Sequence, residues 1–152
     1  MIQRIEQSVI MNAREIRRIF QISYKIEAEL LGAKKFPPLQ RPIVQFKESS
    51  NDFFGYYAED KLVAVIEMKA EENSMHIQSL VVDPAHFRKG IANGLIKFVF
   101  NYYDISQFTV ETGKDNIPAR KLYENFGFRF VQTYTAEEQI KKVRYQINAL
   151  KM

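Results

Sequence analysis

Apolar residues recur along this chain at two different spacings, and the change between them marks out its elements. Residues 2–8 have the length and composition of a short strand. Asn12 precedes a helical pattern and Glu15 follows three positions on, the spacing at which two side chains satisfy free backbone donors reciprocally, so a helix is predicted to start there. Ile16, Ile19, Phe20, Ile26, Leu30 and Leu31 fall mainly on one stripe, Arg14, Arg17, Arg18 and Lys25 lie off it, and Gly32 supplies a stop. One long helix or two kinked ones fit this pattern. Residues 33–52 hold Pro37, Pro38 and Pro42 with little periodicity and read as a long ordered loop, with a short strand over 43–46. Loops of this length in compact domains are often functional.

The period changes at Phe53. The runs FFGYYA, VAVIEMKA and MHIQSLVV are rich in aromatic and β-branched residues and are separated by polar turns at Glu59-Asp60 and 71–73. Turns that short rule out crossovers, so an antiparallel meander is predicted. Asp83-Pro84 ends the third strand, and residues 89–103 are helical through Ile91, Leu95, Phe98, Val99 and Tyr102. A strand over 107–111 follows; strand, helix and strand of these lengths favour parallel pairing in one sheet. Asn116 is predicted to cap a second helix, with Pro118 in its first turn, Ala119, Leu122, Tyr123 and Phe126 on one face, and Gly127 at its end. Residues 128–133 and 143–147 finish as strands. No repeat or linker interrupts the pattern, so 1–152 reads as a single domain.

Composition removes several chemistries. The chain has 152 residues, 46% of them hydrophobic, long enough to bury a core without disulfides or a structural metal. It has no cysteine, hence no disulfide framework, thiolate zinc site, cysteine nucleophile or CxxC redox pair. Its two histidines, His76 and His86, lack a zinc-hydrolase spacing, and metal-free chemistry is expected. Twenty-two Lys and Arg against 18 Asp and Glu leave a scattered +4, which gives nucleic acid no clustered basic face and suits a small polyanionic ligand. The start lacks a signal-peptide pattern and no apolar run reaches membrane-spanning length, so a soluble, cytoplasmic protein with no membrane partner is expected.

The informative stretch begins LVVDPAHFRKGIANGL, where a strand runs through a short loop into a helix whose first turn carries Gly90, Ala92 and Gly94. Free amides at a helix start, with the dipole behind them and Arg88 and Lys89 beside them, form a site that fits a pyrophosphate. The same small residues equally let the helix pack closely on the sheet, with Arg88 and Lys89 merely solvated. A dinucleotide fold fits poorly, because its fingerprint follows the first strand of a βαβαβ array and here a meander leads into the loop. A P-loop fails because Gly113-Lys114 is followed by Asp115 and lacks the upstream glycine.

Further along stands VETGKDNIPARKLYENFGF, and with it the chain resembles the GNAT superfamily of acyl-CoA-dependent N-acetyltransferases. That family pairs a strand ending V-x-P and a [QR]-x-x-G-x-[GA] loop with a later N-x-x-A-x-x-L-Y-x-x-x-G-F. Val82, Pro84, Gly90 and Ala92 match the first half, and Asn116, Ala119, Leu122, Tyr123, Gly127 and Phe128 the second. The family's leading Gln or Arg falls at Phe87, with Arg88 one place later. The resemblance implies a mixed α/β (α+β) fold: a mostly antiparallel twisted sheet, splayed between its fourth and fifth strands and flanked by helices on both faces.

It also implies a direct acetyl transfer from acetyl-CoA, as co-substrate and without a metal, to a primary amine in a ternary complex. The alternative on the same fold is a non-catalytic acyl-CoA-binding regulatory module. By the resemblance, Arg88, Lys89, Gly90, Ile91, Ala92 and Asn93 wrap the pyrophosphate, and Leu80, Val81 and Val82 offer backbone to the pantetheine arm and thioester. That requires the strands around Val82 and Glu111 to part, since paired edges cannot bond a ligand. Tyr123 matches the general-acid position beside the cofactor sulfur, its alternative being a core aromatic. Glu111 stands where some members carry a carboxylate base, with Glu67 and Gln78 as weaker acceptor-side candidates. Asn116 contacts the cofactor, caps its helix, or does both. His76 fills a sheet position and His86 flanks the phosphates. The acceptor, a small-molecule amine or a protein or peptide amine, would be held by the segment 24–46. Glu27 and Glu29 read there as a solvated helix face, with attraction of a cationic amine as the functional alternative, and Phe36, Pro37 and Pro38 wall a pocket or cover the core. A homodimer is admissible.

Overall fold

A computed structural model of the chain describes residues 1–32 and 37–149. It contains seven strands, β1 (Ile2–Ile5), β2 (Asp52–Ala58), β3 (Lys61–Ala70), β4 (Met75–Val82), β5 (Gln107–Gly113), β6 (Arg129–Thr135) and β7 (Lys141–Asn148). Four α-helices accompany them, α1 (Ile10–Leu31), α2 (Ile43–Lys47), α3 (Ile91–Tyr102) and α4 (Ile117–Phe126). The strands form one sheet in the order β1-β2-β3-β4-β5-β7-β6. Every neighbouring pair is antiparallel except β4 and β5, which the α3 crossover makes parallel. The meander and the splayed, mostly antiparallel sheet agree with the sequence reading.

Each face of the sheet buries its own apolar set. Ile16, Ile19 and Phe20 of α1 and Phe46 of α2 pack with Phe53, Val65 and Val81 on one side. Leu95, Ile96 and Val99 of α3 pack with Phe54, Ile66, Phe108 and Val110 on the other, in a cluster that also takes in Tyr123 of α4, Phe128 and Tyr145. Successive β2 residues, Phe53 and Phe54, therefore point to opposite cores, as strand geometry requires. Among the described residues no helix is long and apolar enough to cross a membrane.

Three local expectations are corrected. The predicted strand over 43–46 is the helix α2, because its fold position is decided by burial of Phe46, whose ring sits 4.9 Å from Phe20 and 6.4 Å from Phe53. The proposed Asn12–Glu15 capping pair does not form: α1 starts at Ile10, Asn12 bonds back to the Glu6 carbonyl at 3.0 Å, and Glu15 pairs with Arg18 at 3.1 Å. α1 is one 22-residue helix, and β1 stops at Ile5 rather than running to residue 8. Phe36 and the rest of 33–36 lie outside the described residues, as does the Pro37 side chain. The predicted stops hold: Gly32 and Gly127 end α1 and α4 in the left-handed conformation, at φ 64° and 100°.

Candidate active site

β4 and β5 pair over only three positions, Met75 with Phe108, His76 with Thr109, and Ile77 with Val110. There β4 bulges: Ile77 faces Met68 and Ser79 faces Glu67, leaving Gln78 as the extra residue. A bulge bends its strand and increases its twist, and beyond it β4 stays paired with β3 through Val82 while β5 stays paired with β7 through Gly113. The Leu80, Val81 and Val82 backbone therefore has a neighbour strand on one side and none on the other.

The wedge opens into a cleft of about 700 Å³, walled by Tyr24, Glu27 and Leu31 of α1, by Ser79 and Leu80 of β4, by Glu111 to Gly113 of β5 and by Asn116 and Tyr123 of α4. Gly113 lets α1 roof it. A Cβ there would lie 2.7 Å from Leu31 Cδ2, so the bare backbone leaves room for the Leu31 side chain in the last turn of α1. Asn116 then ties that helix to α4: its Oδ1 accepts from Ala119 N at 3.3 Å, capping α4, and its Nδ2 donates to Glu27 Oε1 at 3.0 Å. The cap predicted from sequence is present, and the amide serves a second partner at the same time.

Tyr123 is 5% exposed and its side chain opens onto the cleft. No hydrogen bond ties its phenol to another described residue. Burial, with the Glu27 charge nearby, pushes the phenol well above its ordinary pKa, so it stays protonated. Tyr24, which shares a hydrogen bond with Ser79, is raised in the same way by burial and by Glu27.

The carboxylates differ in their surroundings. Glu111 accepts from Tyr134 Oη at 2.8 Å through one oxygen and from Arg144 Nη1 at 3.0 Å through the other. Burial would raise its pKa, but these two bonds and the guanidinium charge outweigh it and hold the carboxyl below its ordinary value. The Tyr134 phenol is pushed up to about 12 by burial and by that bond to Glu111. Glu67 is fully buried and accepts from Arg41 at 2.8 and 3.0 Å, Asn51 at 2.9 Å and Ser79 at 3.0 Å. Glu27 is half-buried in the cleft, and burial raises its carboxyl, an effect that the Asn116 bond and the Lys142 charge oppose. Amphipathic patterning gave Glu27 as a solvated position. Only Glu29 is one, because α1 turns the Glu27 side over the open wedge rather than over water. Arg41 carried no sequence signal at all.

The second candidate region lies at the start of α3. Gly90 is its N-cap at φ 74°, with no side chain capping it, and the first intrahelical bond runs from Gly94 N to Gly90 O at 3.0 Å. The amides of Ile91, Ala92 and Asn93 precede that bond and have no helical acceptor. Arg88, also left-handed at φ 63°, and Lys89 are exposed beside them, with Lys89 Nζ 3.5 Å from His86 Nδ1. Phe87, 46% exposed, stands between this turn and the cleft, whose wall it joins. The arrangement gives a cationic, donor-rich helix start at one end of an unpaired strand edge and a buried phenol at the other. His76, by contrast, is held in the sheet by Thr109 Oγ1 at 2.7 Å, and burial lowers its pKa. Among the described residues no group of three or more histidines and carboxylates is placed to hold a metal ion.

Comparison with known proteins matches residues 29–149 to the acetyltransferase (GNAT) domain. The chain is 33% identical over 139 residues to the UPF0157 protein YqkA of Bacillus subtilis, covering 91% of this chain but only 40% of that protein's length. It is 27% identical over 119 residues to a streptothricin acetyltransferase of Escherichia coli, covering 74% of this chain and 68% of the relative. Its fold superposes with TM-score 0.70, at 16% identity and over 95% and 98% of the two chains, on the PaiA N-acetyltransferase of Thermoplasma acidophilum, solved in complex with coenzyme A.

Proposed function

The chain belongs to the GNAT acetyltransferase family, and on that premise we propose that it moves an acetyl group from acetyl-CoA to a primary amine by direct attack in a ternary complex. The observation that carries this reading is the parting of β4 from β5 after Ile77, which leaves strand backbone unpaired above a cleft that Tyr123 enters with a phenol bonded to no described residue. In this reading the amides of Ile91, Ala92 and Asn93, with Arg88 and Lys89, bind the pyrophosphate, whose charge the helix start favours. The fit does not need the family's Gln or Arg, whose place Phe87 takes, because backbone donors supply the contact. The free edge of Leu80, Val81 and Val82 receives the amide groups of the pantetheine arm and supports the thioester oxygen as it gains charge. Asn116 borders the same arm.

The reaction needs a neutral amine, a stabilised oxyanion and a proton for the departing thiolate. Tyr123 gives that proton. A phenol held protonated by burial transfers it to a sulfur anion inside a dry cleft, and no covalent enzyme intermediate is needed in a chain without cysteine. The cytoplasm, where acetyl-CoA is made and spent, is the proposed setting, with 1–152 acting as one domain. The acceptor is a small-molecule amine or a protein or peptide amine.

The test is release of free CoA thiol from acetyl-CoA across polyamines, aminoglycosides, amino acids and peptide N-termini, alongside the thermal shift that acetyl-CoA produces in the free protein. A ligand bound only by the folded state at a hundred times its Kd adds about 2.7 kcal/mol. A shift with no thiol release for any amine would make the chain an acyl-CoA-binding regulatory module. No shift with acetyl-CoA, CoA or longer acyl-CoAs would overturn the reading altogether.

A further inference from the structure

Three carboxylates line the cleft, Glu27, Glu111 and the exposed Glu137, and a fourth, Glu67, is buried behind Ser79; they differ in what answers their charge. Glu67 meets both arms of the Arg41 guanidinium, and Glu111 meets Arg144. Glu27 pairs with no described lysine or arginine; its one bond comes from the neutral amide of Asn116. It also stands where chemistry would need it. α1 sets Glu27 three residues after Tyr24 and four before Leu31, so one helix face presents all three to the cleft. A second, independent feature points into the same space: the Tyr123 phenol, 95% buried, is aimed into the cleft with no described partner.

Resting on the acetyl-transfer reading above, we propose that Glu27 is the proton acceptor of the reaction and thereby makes this site selective for basic amines. An ammonium entering the cleft finds in Glu27 a half-buried carboxylate that no described lysine or arginine pairs with. It gives a proton to Glu27, and the freed nitrogen lone pair bonds the thioester carbonyl carbon. The carbon–sulfur bond breaks, and the thiolate takes the phenol proton of Tyr123. The second nitrogen proton, lost as the amide forms, returns to Tyr123, while the proton on Glu27 leaves through the cleft mouth to water. One amide, one thiol and one released proton balance the ammonium and the thioester.

Glu111 is less suited to this step. Tyr134 and Arg144 occupy one oxygen each and favour its ionised form, so taking up a proton would break both bonds. Among the described residues only Asn116 bonds Glu27, through one oxygen, and burial makes protonation easier there. The groups around Glu27 are Tyr24 from its own helix, Tyr123 and Asn116 from α4 and Lys142 from β7, with Glu111, Arg41 and Glu137 farther round the cleft wall and Glu67 buried behind Ser79. Neither tyrosine ionises in the working range, so the acid limb of the rate profile belongs to Glu27.

The experiment is the pH profile of kcat/KM for Glu27→Gln against the native protein, with acetyl-CoA and whichever basic amine of the panel releases thiol. Glutamine keeps an oxygen for Asn116 and removes the proton acceptor. The expected result at pH 7 is a fall of about a hundredfold or more, with recovery toward pH 10 as the amine loses its own proton to water and with unchanged acetyl-CoA affinity. Glu27→Asp should retain the acid limb at reduced rate, which a packing role would not produce. A Glu27→Gln rate within threefold of native, or a loss that pH does not relieve, would overturn the assignment while leaving acetyl transfer intact. Absence of thiol release by the native protein would remove the reading beneath it, and both would fall together.

Discussion

The guanidinium of Arg41 meets both oxygens of Glu67, at 2.8 and 3.0 Å, while lying 4.1 Å from the centroid of the Phe46 ring. Glu67 is fully buried, so the arginine is what makes an ionised carboxylate tolerable inside the sheet. Removing one partner of such a pair leaves an uncompensated buried charge and costs about 3–5 kcal/mol, whereas replacing both by apolar groups is often close to neutral. Arg41→Met should therefore lower stability by that order in urea unfolding, and Arg41→Met with Glu67→Leu should recover most of it. Equal losses in the single and double variants would mean that the loss does not come from a stranded Glu67 carboxylate.

Two cleft glutamates should change stability with pH in opposite senses. The folded-state pKa of Glu111 lies below its ordinary value, so its contribution is present above that value and is lost as pH falls through the folded one. Arg144→Met should thus cost more at pH 7 than at pH 3. The folded-state pKa of Glu27 lies above its ordinary value, so its contribution is complete below that value and is lost as pH rises through the folded one. Glu27→Gln should then be neutral near pH 4 and stabilising near pH 8. Parallel curves for native and variant proteins across that range would refute either statement.

The parts of this fold that sequence made legible are those encoded by near neighbours. Asn116 caps α4 through Ala119, three residues on, and the meander shows in short turns between alternating runs. What escaped depends on distant partners. Ile43 and Val44 are β-branched and look like a strand, yet Phe46 finds its place against Phe20 and Phe53, and that contact makes the segment helical. Arg41 acquires meaning only from Glu67, 26 residues away, and Glu111 from Arg144, 33 away. Glu27 was misplaced for a different reason. Amphipathic patterning sorts residues into core and water, and a helix roofing an open wedge has a third side, which is polar and inward.

Tyr123→Phe removes one oxygen from a side chain that otherwise packs against Phe128 and Tyr145, with ring centroids 5.6 and 6.4 Å away. No described hydrogen bond is lost, so melting temperature and acetyl-CoA affinity should stay close to native. If the phenol protonates the thiolate, kcat should fall about a hundredfold or more, the scale of a lost general acid. Unchanged turnover would return Tyr123 to the role of a core aromatic.

Gly113 and Leu31 set the height of the cleft roof. A Cβ on Gly113 would stand 2.7 and 2.8 Å from the two Leu31 methyl carbons and 3.3 Å from Cγ, closer than packed carbons approach. Gly113→Ala must therefore displace the Leu31 side chain in the last turn of α1, at about 1–3 kcal/mol for an overpacked contact. Because that turn carries the helix face on which Glu27 lies, the acceptor KM should rise more than the acetyl-CoA KM. The companion change Leu31→Ala removes the clashing methyl groups, and the double variant should regain both stability and acceptor KM. Rescue of stability without rescue of KM would show that the height of this roof does not govern acceptor binding.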